Sequence, residues 1–213
     1  MVKSRRLKNK YYILRHGQTI HQTNKKDIIY GWPDDTIPCG LTSLGKKQIK
    51  HSAQQLKNEK IDLIFSSDAR RTKETAEIVA QALGSKKVIF DTRLRDKNWG
   101  IFQEKPKSLL AGYFKDPTEM LTKAPACGES WQGVQKRIAA VIKNIESRYR
   151  GKNVLIISHG DPLCLLQGWM YNLDTKDLLY ILTHKNEKII KGGLDISYPQ
   201  PGEWRKLAYN TSQ

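Results

Sequence analysis

Tyr11-Tyr12-Ile13-Leu14-Arg15-His16-Gly17-Gln18-Thr19 is the stretch around which the chain is organised. Its first four residues are apolar or aromatic with strong strand propensity, and they run directly into a cation, an imidazole and a glycine. This is the pattern of a buried strand that ends in a polar turn. Ligands of open α/β sheets collect at the carboxyl ends of the strands, so Arg15 and His16 stand where chemistry is expected. Gly17 permits a backbone conformation, or a close approach by a ligand, that a side chain would obstruct. Taken alone, the stretch also fits a structural histidine after an edge strand with a solvated arginine.

A second strand narrows the choice. Val154-Leu155-Ile156-Ile157 is followed by Ser158-His159-Gly160, again an apolar run and then a His-Gly pair. Two buried parallel strands that each deliver a His-Gly to one sheet edge put two imidazoles face to face. Between them in sequence, a strand over 61–65 leads into the helix-opening segment 66–76, which can bring an arginine to the same edge.

On these residues the chain resembles the histidine phosphatase superfamily, the phosphoglycerate mutase-like family. Leu14 to Thr19 match its Leu-Arg-His-Gly-x-Thr signature, and Ser67, Asp68, Arg71, Thr75 and Ala76 match its second pattern. Ser158 to Gly160 match its Ser-His-Gly. The order and spacing agree over residues 11 to 175, and three motifs in this order are far more specific than one. The resemblance implies a three-layer α/β/α fold with a mostly parallel central sheet. Residues 11–213 then form one domain, preceded by a basic tail over 1–10. A variable region at about 101–130 helps to form the mouth of the pocket.

The resemblance also implies roles. His16 would carry a phosphohistidine, Arg15 and Arg71 would hold the phosphoryl oxygens, and His159 would donate a hydrogen bond to the transferring group. Gly17, Thr19, Gln22 and Gly160 would surround the substrate, Gln22 standing where the family commonly has an Asn. Asp96, with Gly100 in register, occupies the place of the family's proton-donating Glu and is one methylene shorter. Chemistry supports this division of labour. A phosphate monoester dianion repels nucleophiles, so its equatorial oxygens must be neutralised while an attacking group is held in line. Arginine forks match phosphate oxygens, and a neutral imidazole is nucleophilic near pH 7. No metal or other cofactor is expected.

The reading is therefore a phosphomonoesterase acting on a phosphorylated small molecule or a phosphoprotein. Mutase-type phosphoryl transfer is the alternative, disfavoured because the mutases' Asn-Glu-Arg-His-Tyr-Gly is replaced here by Leu94-Arg95-Asp96-Lys97-Asn98-Trp99-Gly100. An alternative of another class is a regulatory protein that binds phosphate ligands without catalysis. Asp96 also admits a plainer reading, a surface ion pair with Arg93 or Arg95. Arg70 competes with Arg71, and His21, Asp34 and Asp35 fit as turn-capping groups.

Helices are expected after Thr42, with Ile49, Ala53 and Leu56 inward, and to about Leu83, with Ala76, Val79 and Ala80 inward. A third begins at Ser130, with Trp131, Val134, Ile138, Val141, Ile142 and Ile145 as a stripe. Pro162 suits the start of a helix over 163–171. The segment 20–40 reads as a loop, and the C-terminal part, helical over 177–182 and strand-like over 189–209, shows no further chemical grouping. Asp161 must turn its charge away from a bound phosphate.

Composition bounds what remains. The chain of 213 residues has 38% hydrophobic and 27% charged residues and a net charge of +16. That surplus attracts anions, including nucleic acid and anionic membranes. The lysines are scattered along helices without an aromatic stripe, so a dedicated nucleic-acid role is not expected. Cys39, Cys127 and Cys164 are odd in number and widely spaced, which suits reduced thiols in the cytoplasm. No apolar run is long enough to span a membrane, and the first ten residues lack the hydrophobic segment of a secretory signal.

Overall fold

The computed structural model describes residues 6–23, 27–30 and 39–207. In chain order its elements are β1 (Lys10–Arg15), α1 (Ile20–Thr23), α2 (Ser43–Leu56), β2 (Leu63–Ser66), α3 (Arg70–Ala82), β3 (Val88–Phe90), α4 (Ser108–Tyr113), α5 (Glu119–Thr122), α6 (Trp131–Arg148), β4 (Asn153–Ser158), α7 (Gly160–Met170), α8 (Thr175–Thr183), β5 (Ile190–Lys191), β6 (Leu194–Asp195) and β7 (Trp204–Lys206). The main sheet runs β3-β2-β4-β1-β7; all of its pairings are parallel except that of β7. β5 and β6 make a separate antiparallel pair.

β1 and β4 read as continuous apolar runs because both faces of the sheet are covered. Alternate residues point to opposite sides. Tyr11, Ile13, Val154 and Ile156 pack against α6, α7 and α8. Tyr12, Leu14, Leu155 and Ile157 pack against α2 and α3. Three layers follow directly from that alternation.

The helix starts obey local rules. Thr42 Oγ1 accepts from Gly45 N at 3.0 Å, and Ser130 Oγ accepts from Gly133 N at 3.1 Å. The stripe from Trp131 to Ile145 is buried. α7 begins earlier than Pro162 suggests, with His159 at its N-cap.

Two other readings change. The expected loop over 20–40 opens with one helical turn, α1, in which Gln22 N bonds Thr19 O at 3.1 Å. Asp34 and Asp35 lie outside the described residues. The basic segment before β1 is anchored from Leu7 onward: Leu7 and Asn9 are buried, and Lys8 N donates to Glu146 at 2.6 Å. No helix among the described residues is long and apolar enough to cross a membrane. Cys127 and Cys164 are free thiols, and Cys39 and Cys164 are buried.

Candidate active site

β4 is inserted between β1 and β2, so the carboxyl ends of three parallel strands lie side by side. Arg15 pairs in register with Ser158, and His16 N donates to Ser158 O at 3.1 Å. His16 and His159 therefore leave the sheet together, with ring centroids 5.3 Å apart and planes at 64°. From β2, Ser67 N bonds Ile157 O at 3.0 Å, and Ser67 Oγ lies 3.0 Å from His159 Nε2.

Arg71, on the first turn of α3, is the hub. Its Nε lies 3.3 Å from His16 Nε2 and 3.0 Å from His159 Nδ1, and its Nη2 lies 3.2 Å from Asp96 Oδ2. The side chain is 1% exposed. Tyr30 covers the guanidinium at 4.3 Å, held by Thr19 Oγ1 at 2.6 Å and by stacking on His21 at 3.8 Å. Arg70 instead pairs with Glu74 and is 65% exposed.

The hydrogen bonds assign the proton on His16. Its Nδ1 lies 2.8 Å from Gly17 O, which can only accept, so Nδ1 carries the hydrogen and Nε2 presents its lone pair to the centre of the site. Burial, and then the charges of Arg71 and Arg15, hold the His16 pKa well below 6.5. Burial and then Arg71 do the same for His159. Both rings are neutral near pH 7.

This has a consequence for stability. The unfolded chain takes up protons at these two positions below about pH 6.5, whereas the native chain does not, so native stability declines as pH falls. The stabilised aspartates, whose depressed pKa values matter only below the ordinary carboxylate range, leave that window to the histidines. The melting temperature in phosphate-free buffer is expected to drop between about pH 7 and pH 5, at up to about 1.4 kcal/mol per pH unit for each histidine. A His159→Gln variant is expected to show a shallower decline.

Asp96 faces Arg71 in the site, while its arginine neighbours in sequence pair with other carboxylates. Arg93 pairs with Asp91 at 2.6 Å, and Arg95 pairs with Asp68 at 2.6 Å. The plainer reading of Asp96, as a partner of either, does not describe its position. Its side chain is 27% exposed and its Oδ1 accepts from Lys97 N at 2.9 Å.

The loop that carries Asp96 is clamped by Arg137, which sequence reading did not single out. Arg137 donates to the carbonyls of Arg93, Arg95 and Asp96 at 2.6, 2.8 and 2.8 Å. It is braced by Glu129 at 2.8 Å. Ser158 Oγ adds a tie to Leu94 O at 2.6 Å. The only advance signal for Arg137 was an arginine on the buried side of α6, four residues after Gly133.

Arg15 reaches over the ring of Tyr198 at 5.4 Å and donates from Nη1 to Pro199 O at 2.8 Å. Its Nε is buried with no hydrogen-bond partner among the described residues. The neighbour that demands a glycine at 17 is the α2 backbone: an added Cβ would lie 2.5 Å from Gly45 O. At Gly160 it would lie 2.0 Å from the Tyr198 hydroxyl. Thr19 is buried beneath Tyr30. Gln22 lines the cavity, with its amide oxygen turned back to Thr19 N at 2.9 Å.

A cleft of about 700 Å³ opens beside these groups, lined by Arg15, His16, Asp96 and Gly160 together with Lys107, Leu110 and Met120 from the 101–130 region. The C-terminal part, read as devoid of chemistry, also contributes Lys185 and Tyr198 to its wall. Asp161 is turned into a cage made by Lys185 Nζ at 2.7 Å, Tyr198 OH at 2.7 Å and Trp131 Nε1 at 3.1 Å. Burial pushes its pKa up, but Lys185 and these hydrogen bonds outweigh that and hold it at about 2. Its charge is thereby neutralised locally.

A profile described as "Histidine phosphatase superfamily (branch 1)" matches residues 11–195. Proteins named "Probable phosphoglycerate mutase GpmB", from Escherichia coli and Shigella boydii, are 34% identical over 161 residues, covering 73% of this chain and 72% of theirs. The chain belongs to the histidine phosphatase superfamily. Among solved structures, a mycobacterial glucosyl-3-phosphoglycerate phosphatase with VO3 superposes with a TM-score of 0.74, at 22% identity, over 96% of this chain and 100% of that one. The α-ribazole phosphatase of Shigella flexneri gives 0.72 at 19% identity, over 94% and 91%. These two share the fold. Bacillus stearothermophilus YhfR gives 0.67 at 27% identity, over 80% and 83%.

Proposed function

We propose that this chain hydrolyses phosphate monoesters through a phosphohistidine on His16. The observation that carries the reading is the single Arg71 Nε held between the unprotonated nitrogens of His16 and His159. An incoming phosphoryl group is the natural partner for that guanidinium, and when Arg71 turns to it the His16 lone pair is left facing phosphorus. His16 Nε2 forms the bond to phosphorus as the ester P–O bond breaks. Asp96, released by Arg71 and having taken up a proton from solvent, gives that proton to the leaving oxygen. Water then attacks the phosphoryl group, Asp96 takes the water's proton, and the P–N bond breaks to return neutral His16.

Arg15 and Arg71 neutralise the equatorial oxygens in this scheme, so no metal is called for. His159 assists by hydrogen bonding from Nδ1. The Ser67 hydroxyl can either accept from or donate to its Nε2, so the ring can change tautomer as substrate enters. A cytoplasmic setting goes with this reading, since three widely spaced cysteines suit a reducing compartment. Phosphoglycerate mutase activity is the second reading, favoured by the name of the relatives at 34% identity. Chasing a labelled phosphoenzyme with water or with 3-phosphoglycerate separates the two.

The acid is tested by the leaving group. Asp96→Asn is expected to lower kcat/KM for an alkyl phosphate by about 10²- to 10⁴-fold. p-Nitrophenyl phosphate, whose leaving group has a pKa of about 7 and needs little protonation, should lose far less in its first step and give a burst of phenolate. Equal losses for both substrates would remove Asp96 from this role.

A further inference from the structure

Lys97 follows Asp96 in the chain and plays no part in the steps above. It is 2% exposed, and its Nζ has no hydrogen-bond partner among the described residues. It lies 3.6 Å from the centroid of the Trp99 ring and lines the same cleft as His16 and Asp96. The ring face attracts the ammonium but takes at most one of its three donors, and leaving the others unused away from water is unfavourable unless something else arrives to accept them.

The neighbouring carboxylates are already engaged. Asp161 is held by Lys185, Tyr198 and Trp131; Glu129 by Arg137 and the backbone of Asn98; and Asp96 by Arg71. Burial brings the Lys97 amine down to about 8, against the pull of Asp161, Glu129 and Asp96, so its charge is only partly compensated by the protein. Asp96 is the group assigned to the leaving oxygen. On that assignment, a cation in the cleft wall beside Asp96 is placed to meet the rest of the leaving alcohol.

On the reading of His16 as nucleophile and Asp96 as acid, we propose that Lys97 binds a second anionic group on the leaving alcohol, a carboxylate or a further phosphate. The substrates of this chain are then phosphate monoesters whose alcohol is itself negatively charged. The Trp99 ring meets the amine in a cation–π contact, and Lys185, paired with Asp161, shares the same cleft wall. The unused donors of Lys97 find their acceptors when that substrate binds.

Matched substrates test this. 3-Phosphoglycerate and glycerol 3-phosphate differ by a carboxylate in place of a hydroxymethyl group. Fructose 1,6-bisphosphate and fructose 6-phosphate differ by a second phosphate. Wild-type protein is expected to prefer the anionic member of at least one pair by about tenfold or more in kcat/KM, mostly through KM. Lys97→Met is expected to abolish that preference, and Lys97→Arg to retain most of it. The pair that responds identifies the anion. No preference in either pair, or a Lys97→Met loss that falls equally on both members while the melting temperature is unchanged, overturns the assignment. Wild-type turnover of p-nitrophenyl phosphate, lost in His16→Ala, tests the underlying reading separately. Its absence would defeat the nucleophile and not Lys97 alone.

Discussion

Replacement of His16 by alanine is expected to lower turnover of every phosphomonoester by on the order of 10⁴-fold or more, because the proposed mechanism loses its nucleophile. His159, the other imidazole, presents Nδ1 to Arg71 and has Nε2 on Ser67, so it lacks the fixed tautomer that Gly17 O imposes on His16. The variant should still fold, since a small side chain at a strand end disturbs neither apolar layer. It should also still bind inorganic phosphate through Arg15 and Arg71. A chain that merely sensed phosphate ligands would show the same binding in both forms and no turnover in either. Loss of activity with binding retained therefore separates catalysis from recognition.

Arg71→Gln is expected to lower kcat/KM by about 10³-fold, the size associated with removing a preorganised donor aimed at transition-state charge. Its effect on the histidines gives a second readout. Arg71 is a major cause of the depressed pKa of both rings, exceeded only by burial. Without its charge both values rise, and any acidic limb in the pH dependence of residual activity moves toward neutral pH. Arg70→Gln is the control. Arg70 sits one residue earlier, exposed and paired with Glu74 along its own helix, and its loss should be worth no more than about 0.5 kcal/mol with no change in the profile.

The features legible in the sequence are those written locally. Apolar runs covered on both faces announced β1 and β4, and Thr42 and Ser130 announced helix starts that their hydroxyls make. The two His-Gly pairs met because parallel neighbours share a register, Arg15 opposite Ser158. Contacts between residues distant in the chain left no such trace. Arg137 clamps the Asp96 loop from more than forty positions away, and Tyr198 and Lys185 reach the cleft from a segment with no recognisable motif. Gly17 was legible as necessary but not for its neighbour, since only the packed α2 backbone supplies the reason. α1 escaped notice because a single turn closed by Thr19 and Gln22 is too short to show a periodic pattern.

The most direct test of the central claim is to trap the covalent intermediate on the wild-type protein. Mixing with a fast-leaving phosphate ester, quenching in alkali to preserve a phosphoramidate, and mapping the phosphorylated peptide by mass spectrometry with phosphorus NMR locates the phosphoryl group. A phosphoramidate on Nε2 of His16, formed and lost at rates compatible with turnover, is the predicted result. Phosphate on His159 or on another side chain, or steady turnover with no covalent intermediate, would contradict the account.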